Sequence, residues 1–203
     1  MTNILLYLIA YLLASVPFGF ILAKVFAGVD VRKEGSGNIG ATNVLRVLKE
    51  KAPDLAKKLT IITFALDALK GAVVILIAMA LGSEPSVLWT IAVLSVLGHC
   101  FSPFLLFEGG KGVATGFGVL LVLIPIPSLI AIATWLIAGK VLKISSISSL
   151  IGLVALVISA YTIYPALPGI HSHAPMMIIA FIIFYKHIPN IIRIIKREEA
   201  KVI

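Results

Sequence analysis

The chain contains one cysteine, Cys100, and few charged residues. A single cysteine cannot form a disulfide within the chain or a metal-binding cysteine pair, so neither a disulfide scaffold nor a cysteine-based metal module is expected. Only 13% of the 203 residues are charged, whereas 60% are hydrophobic and the mean hydropathy is +1.12. This composition lies outside the range of soluble globular domains and predicts an all-α integral membrane protein.

Lysine and arginine are missing from three polar turns, which lie around Glu84, at Pro125 and Pro127, and at residues 165–173. The 17 basic residues fall instead in residues 24–70, at Lys111, and in residues 140–143 and 186–201. The side of a membrane protein that is rich in Lys and Arg normally faces the cytoplasm, so we expect the basic groups there and the three turns outside. The net charge of +8 fits anionic lipids and anionic substrates, and it requires no nucleic acid partner.

Five apolar runs are long enough to cross a bilayer or can be extended to do so, since a spanning helix needs about 20 residues. They occupy residues 4–26, 59–81, 86–104, 147–164 and 174–185. The first three residues carry no basic group, so the first run is predicted to be a retained helix rather than a cleaved signal peptide.

The region 113–142 is too long for one ordinary span and contains two prolines, which break helices. If it were one span, the basic residues at 140–143 and the basic C-terminal tail would lie outside. If instead the prolines form an outside turn between two spans, every Lys and Arg lies on the cytoplasmic side. We therefore predict one domain, residues 1–203, with seven transmembrane helices, the N-terminus outside and the C-terminus in the cytoplasm. A six-span or re-entrant arrangement stays open.

The first block with chemical potential spans residues 35–46 and combines three glycines with hydroxyls, amides and one cation, Arg46. Glycine lets the backbone approach a ligand and point several N–H groups at an anion. An arginine can clamp a phosphate through two hydrogen bonds. The density of donors favours a phosphate site over a plain polar turn.

In the second block, Gly109-Gly110-Lys111-Gly112 leads directly into a predicted helix. A helix N-terminus offers free N–H groups to an anion. The spacing is not that of a Walker A loop. A lysine between glycines favours phosphate binding over simple snorkelling at the membrane boundary. His99, just upstream, is interpreted as a packing histidine.

Further polar residues are predicted at the same membrane level. Serines at 145, 146, 148 and 149 begin a span, where they are expected to cap a helix or bond within the bundle. His187 and Asn190 follow the last span. Asp67 and Lys70, three residues apart within a span, are predicted to form a buried ion pair.

Three known catalytic patterns are missing from the sequence. Cys100 has no arginine at the phosphatase spacing, no histidine has the His-x4-Asp acyltransferase spacing, and no serine lies in a Gly-x-Ser-x-Gly elbow. Neither a thiol nor a serine nucleophile is therefore expected.

Taken in order, these blocks resemble the bacterial acyl-phosphate-dependent glycerol-3-phosphate acyltransferases, the PlsY family. The resemblance covers nearly the whole chain and is carried by residues 11–19, 35–46, 67–71 and 99–114, by the serine cluster, and by His187, Asn190 and Glu199. It implies transfer of a fatty acyl group from acyl-phosphate to glycerol 3-phosphate without an acyl-enzyme, giving lysophosphatidic acid and phosphate. No cofactor or metal is implied.

By this resemblance the expected catalytic residues are Ser36, Arg46, Lys111, His187 and Asn190. The expected substrate-binding residues are Gly37, Asn38, Gly40, Thr42, Asn43, Gly109, Gly110, Gly112, Ser146, Ser149, Arg193 and Glu199. Lys111 and the Ser36 loop are assigned to acyl-phosphate, and Arg46, His187 and Asn190 to glycerol 3-phosphate. Either His187 or a substrate phosphate oxygen takes the proton.

The expected partners are acyl-phosphate, glycerol 3-phosphate, membrane lipids and, transiently, the enzyme that makes acyl-phosphate. The expected location is the bacterial cytoplasmic (inner) membrane, as a multi-pass protein whose active site lies on the cytoplasmic face. The competing hypothesis is a transporter or channel for phosphate-bearing solutes, since Pro-broken helices and Gly-rich loops also occur there.

Overall fold

The computed structural model describes residues 2–201, and its regular structure is helical. Ten α-helices follow one another within these residues: α1 (Thr2–Ser15), α2 (Phe18–Ala27), α3 (Ala41–Lys51), α4 (Pro53–Ala80), α5 (Pro85–Cys100), α6 (Val113–Leu123), α7 (Pro125–Leu142), α8 (Ser145–Ile163), α9 (Ala174–Lys186) and α10 (Ile188–Ile195). Short 3-10 turns lie at Val31–Lys33 and Pro103–Leu105. Within residues 2–201 the β-type pairing is limited to an isolated bridge between Ser102 and Glu108.

Prolines begin several of these helices. Pro53, Pro85 and Pro125 are the first residues of α4, α5 and α7, where a missing N–H costs nothing because no partner exists for it. The region 113–142 is two helices, as predicted. However, the chain turns at Ile124 and Pro125 already belongs to α7, so the proline pair starts a helix rather than forming the turn.

Four helical segments within residues 2–201 are long and apolar enough to cross a bilayer, namely Asn3–Ala27, Pro53–Ala80, Pro125–Leu142 and Ser145–Ile163. Helices α9 and α10, bent by 49° at His187, supply a fifth if they count as one span. Helices α5 and α6 are apolar but shorter, with 16 and 11 residues. The predicted all-helical fold is confirmed, whereas the number of crossings and the orientation stay predictions.

Glycines allow neighbouring helices to touch through their backbones. A Cβ at Gly118 would lie 2.0 Å from the carbonyl oxygen of Ala68, and one at Gly98 would lie 2.3 Å from that of Tyr11. Close approach at small residues is a usual way to pack helices in membranes. These contacts fix α6 against α4 and α5 against α1.

The outer surface of the bundle carries large apolar side chains. Leu76, Ile137, Ile158 and Phe181 are each more than half exposed. So continuous an apolar surface would be unfavourable in water, but it matches the hydrocarbon of a bilayer.

Helix α3 lies beside the bundle and buries Val44, Val47 and Leu48 against α2 and α4. Its first residues, those of α6 and those of α8 meet around one cavity. The fold therefore brings three helix N-termini together at one end of the molecule.

Candidate active site

A cavity of about 740 Å³, which includes space open to solvent, lies where these three helices begin. It is lined by Ser36, Asn38, Gly40, Ala41, Thr42, Asn43, Arg46, Phe64, Asp67, His99, Lys111, Gly112, Val113, Ala114, Trp135, Ser145, Ser146, Ser149, His187, Asn190 and Glu199. Segments that are far apart in sequence thus share one polar site.

The three helix N-termini at this cavity carry no side-chain cap. The residues before α3, α6 and α8 are Gly40, Gly112 and Ile144, and none makes a capping hydrogen bond through a side chain. The first N–H groups of a helix have no partner within the helix, and their dipoles favour negative charge. An anion in the cavity is therefore attracted from three directions.

Amide side chains shape the glycine-rich loop. Asn43 accepts a hydrogen bond from the Ser36 N–H at 2.9 Å and donates to the carbonyl oxygens of Val31, Glu34 and Asn38. The Asn38 side chain accepts from the Gly40 N–H at 2.9 Å. Both amides hold the loop in its conformation, and Asn43, which is buried, is occupied by these bonds.

Two cations in the cavity lining lack partners in the part of the chain that the structure describes. Within residues 2–201, Lys111 forms no ion pair or hydrogen bond, and the buried Nε of Arg46 has no acceptor. Burial lowers the pKa of Lys111 to about 8, a shift that the charge of Glu199 opposes and those of Arg193 and Arg46 reinforce. Leaving a buried donor unpaired costs about 1–3 kcal/mol, so an anionic ligand is the natural partner.

Glu199 ties the C-terminal tail to the cavity. Its carboxylate accepts hydrogen bonds from Ser146 Oγ at 2.7 Å, Asn190 Nδ2 at 2.6 Å and Arg193 Nε at 2.7 Å. Burial by itself would raise the pKa of Glu199, but these three donors outweigh it and lower the pKa. One carboxylate thus joins the start of α8 to α10.

His187 lies at the bend between α9 and α10 and is 1% exposed. Its Nδ1 is 2.7 Å from the carbonyl oxygen of Ile183. A carbonyl can only accept, so Nδ1 carries the hydrogen and, in the neutral ring, Nε2 keeps its lone pair. The residue can therefore accept a proton from a group in the cavity.

The serines at the start of α8 do not cap the helix. Ser148 and Ser149 donate to the carbonyl oxygens four residues earlier, at 2.9 Å each. Ser145 is 3.0 Å from Thr42 Oγ1 on α3, which links the two sides of the cavity. Of the two roles expected for these serines, capping or bonding within the bundle, the structure shows the second, since Ile144 occupies the N-cap position of α8.

An apolar groove of about 480 Å³ adjoins the cavity. Helices α6 to α9 line it with Val113, Gly116, Phe117, Leu120, Ser128, Ala131, Ile132, Trp135, Ser149, Gly152, Leu153, Leu156 and Ile183. Val113, Trp135 and Ser149 belong to both surfaces. A ligand with a charged head and an apolar tail can lie across this boundary.

Comparisons with known proteins agree with this geometry. Residues 4–197 match the model of a family described as glycerol-3-phosphate acyltransferase. The chain belongs to this family. Curated glycerol-3-phosphate acyltransferases from a Nitratiruptor species and from Campylobacter concisus are 62% and 57% identical to it, over 98% and 100% of this chain and 96% and 100% of their own lengths.

A solved structure of similar fold is that of PlsY, an integral membrane glycerol 3-phosphate acyltransferase, in its glycerol 3-phosphate form. It is 34% identical, covers 99% of this chain and 96% of its own, and superposes with a TM-score of 0.88. The lysophosphatidic acid form superposes with a TM-score of 0.85 at 33% identity, over 99% and 95% of the two chains. The protein is therefore an acyltransferase and a multi-pass membrane protein, and the transporter hypothesis is not favoured.

Within this acyltransferase fold, all five residues predicted to be catalytic line the cavity. Among the predicted substrate-binding residues, Gly37, Gly109, Gly110 and Arg193 do not line it; Arg193 instead holds Glu199. The roles of all these residues stay predictions.

Eight residues of the cavity lining were not among the predicted site residues: Ala41, Phe64, Asp67, His99, Val113, Ala114, Trp135 and Ser145. The rings of Phe64 and Trp135 stack with centroids 6.3 Å apart, where the cavity meets the groove. No local pattern marks such aromatic residues within apolar spans. The predicted ion pair between Asp67 and Lys70 is confirmed at 2.8 Å.

Proposed function

We propose that this acyltransferase moves a fatty acyl group from acyl-phosphate to glycerol 3-phosphate, giving lysophosphatidic acid and phosphate. One observation carries the proposal: a cavity with unpaired cations and three uncapped helix N-termini opens into an apolar groove. Phosphates fit the first surface and an acyl chain fits the second. The family membership supports glycerol 3-phosphate as the acceptor.

Within the cavity we assign Lys111, the Ser36 loop and the neighbouring glycines to acyl-phosphate. Lys111 lies just before α6, and Val113, the first residue of α6, lines both the cavity and the groove. An acyl-phosphate whose phosphate lies at Lys111 can therefore extend its acyl chain along α6. We assign Arg46, His187 and Asn190 to glycerol 3-phosphate. Asn43 and Glu199 act by holding the loop and α10 in place.

The reaction needs no covalent enzyme intermediate because acyl-phosphate is already an activated mixed anhydride. The 1-hydroxyl oxygen of glycerol 3-phosphate attacks the acyl carbonyl carbon, and the bond from that carbon to the phosphate oxygen breaks. The hydroxyl proton passes to the departing phosphate, directly or through Nε2 of His187. The protein supplies proximity and an electrostatic field that matches the charge gained by the leaving phosphate.

We further propose seven crossings within a single domain, with the cavity at the cytoplasmic face of the bacterial inner membrane. The seven crossings are the segment Asn3–Ala27, the five helices α4 to α8, and α9. Helix α6 is the shortest of them. The distribution of Lys and Arg supports this orientation. Reporters at Lys51, Lys143 and Lys201 should label from the cytoplasm, and those at Glu84 and Gly169 from outside. An outside label at Lys143 would reject the seven-span arrangement.

On this arrangement the acyl-phosphate arrives from the cytoplasmic side or along the membrane. A transient contact with the enzyme that makes acyl-phosphate would deliver it beside the basic residues of α3 and the C-terminal tail. Neither nucleic acid nor a cofactor enters the proposed reaction.

The proposal is tested by offering one purified preparation three donors separately: acyl-phosphate, acyl-CoA and acyl carrier protein loaded with the same acyl group. We expect rapid formation of lysophosphatidic acid with acyl-phosphate only, because Lys111 lies close to the start of the groove, where it can meet a phosphate bonded directly to the acyl carbon. Equal rates with acyl-CoA would contradict the assignment of the donor. A preparation that fails with all three donors but binds glycerol 3-phosphate would contradict the reaction itself.

A further inference from the structure

Three ionisable side chains lie together beneath the cavity. Asp67 and Lys70 on α4 and His99 on α5 are 2%, 4% and 3% exposed. Asp67 and His99 also reach the cavity lining. The proposed reaction uses none of the three, and His99 was expected only to pack.

Counting hydrogen bonds fixes the state of the histidine ring. The Nζ of Lys70 lies 2.8 Å from Asp67 Oδ1, 3.1 Å from the carbonyl oxygen of Val16 and 2.9 Å from His99 Nδ1. Because Lys70 forms an ion pair with the Asp67 carboxylate, we assign it as an ammonium group, which has three N–H donors and no acceptor. Three acceptors therefore satisfy it completely. His99 Nδ1 is therefore an acceptor without hydrogen, and the hydrogen of the neutral ring must be on Nε2.

The Nε2 edge of this ring lies against the Gly109–Lys111 loop. A Cβ at Gly110 would lie 2.0 Å from His99 Nε2, so the ring fits only because residue 110 is glycine. The Gly110 N–H also donates to the His99 carbonyl oxygen at 3.0 Å. Within residues 2–201, Nε2 has no hydrogen-bond acceptor.

From this geometry we propose that His99 is a neutral hydrogen-bond donor to a substrate phosphate oxygen in the cavity. Lys70 and Asp67 are positioning residues that hold the Nε2–H tautomer. The inference rests on the proposed function, because the phosphate belongs to one of its two substrates. Because the neighbouring Lys111 is assigned to acyl-phosphate, we infer that the oxygen belongs to the phosphate of that substrate.

His187 offers the complementary arrangement in the same cavity. Its Nδ1 carries the hydrogen and its Nε2 is free to accept, whereas His99 has the reverse. One histidine is thus set to accept a proton and the other to donate a hydrogen bond. A neutral His99 ring adds no second positive charge beside Lys111. Its N–H group still stabilises an oxygen on which negative charge accumulates.

The tautomer is tested directly by 15N NMR of the full-length protein in lipid nanodiscs, with 15N-labelled histidine. The His99 signals are assigned from their loss in His99→Gln. We expect a protonated Nε2 and an unprotonated Nδ1 at pH 7, and the opposite pattern for His187. Lys70→Met should shift His99 toward the Nδ1–H form. A His99 ring that already carries its hydrogen on Nδ1 in the unchanged protein would overturn the inference.

Ligand titrations show which phosphate meets the ring. Inorganic phosphate stands in for the phosphate of the donor, and glycerol 3-phosphate is added in a separate arm. We expect inorganic phosphate to move the Nε2 signal more than glycerol 3-phosphate does. A larger shift with glycerol 3-phosphate would mean that His99 contacts that substrate instead. No shift with either ligand would reject the contact.

Kinetics supply the second readout. We expect His99→Ala to lower kcat with acyl-phosphate by about 100-fold, the scale of losing one preorganised donor. His99→Gln should retain more activity because its amide N–H reaches about the same place as Nε2–H. The matched control is His171→Asn, an exposed histidine in the turn before α9.

These outcomes separate the two proposals. If the unchanged protein and His171→Asn are active with acyl-phosphate while His99→Ala keeps full activity, the proposed function stands and the role of His99 falls. If the unchanged protein is inactive with acyl-phosphate, the proposed function falls, while the NMR result still decides the tautomer.

Discussion

The polar cavity and the apolar groove share a boundary, but they are built in different ways. The cavity gathers loops and helix ends from residues 36 to 199, whereas the groove is formed by the faces of α6 to α9. The cavity contains unpaired cations and free N–H groups, whose directions and charges must be fixed. The groove contains apolar side chains and small residues, for which shape and volume matter. A change in the cavity should therefore affect every substrate, and a change in the groove should affect long acyl chains selectively.

Lys111→Ala should produce the largest effect. A cation that meets the departing phosphate acts mainly in the transition state, so we expect kcat to fall by about 100-fold with both short and long acyl-phosphates. Steady-state kinetics with a series of chain lengths measures this. The protein should still insert and fold, as size-exclusion chromatography would show, because Lys111 lies between helices. Turnover close to normal in the folded variant would make Lys111 a membrane-boundary lysine without a catalytic role.

The second prediction uses the pKa of Lys111. Burial lowers that pKa to about 8, so in the free enzyme the ammonium is present below pH 8 and is lost as the pH rises through 8. We expect kcat/KM to fall about tenfold per pH unit above this point, since kcat/KM follows the free enzyme. The fall in kcat should lie at higher pH because bound phosphate favours the charged form.

Lys111→Arg is the control for this profile. A guanidinium keeps its charge throughout the range, so a partly active variant should lose the alkaline fall in kcat/KM. An unchanged alkaline limb in this variant would assign the titration to another group.

The contrast between the two regions also explains how much the sequence could predict. The all-helical membrane fold and the main polar blocks of the cavity followed from the apolar runs and the placement of Lys, Arg and Gly, because a bilayer restricts where polar residues can lie. The orientation in the membrane stays a prediction. The pairing of Asp67 with Lys70 followed from their spacing of three residues. Both predictions rest on local or one-dimensional rules.

What the sequence could not predict depends on contacts between distant segments. His99 meets Lys70 across 29 residues, and this contact, not any local motif, fixes its tautomer. Trp135 on α7 contacts Ser149 on α8 and Phe64 on α4 only in the folded structure. Likewise Asn43 looked like a ligand donor, but the fold uses its amide to hold a loop. Such roles require the tertiary structure.

A third prediction sharpens the comparison from the side of the groove. Ala131, on α7 one turn before Trp135, lines the groove, and a phenylalanine there should shorten the space for the acyl chain. Each methylene excluded costs about 0.8 kcal/mol, roughly fourfold in kcat/KM. We expect Ala131→Phe to weaken sixteen-carbon donors selectively and to leave four-carbon donors nearly unchanged. Ala133→Phe, two residues along and exposed on the outer surface, is the matched control. An equal loss for all chain lengths would place the acyl chain elsewhere.

The smallest effect is expected at Cys100, which lies near both surfaces without serving either. The thiol is buried at the end of α5, and it is absent from the linings of both the cavity and the groove. A thiol needs accessible thiolate to act as a nucleophile, and this position offers no access to a substrate. Cys100→Ala should therefore keep kcat within about twofold, with at most a modest loss of stability from the smaller side chain.

Rapid quenching of the unchanged protein with labelled acyl-phosphate should leave no label on the chain, because the glycerol hydroxyl attacks the donor directly. A labelled protein that forms and decays at the turnover rate would replace direct transfer by a two-step mechanism, and the labelled residue would identify the nucleophile.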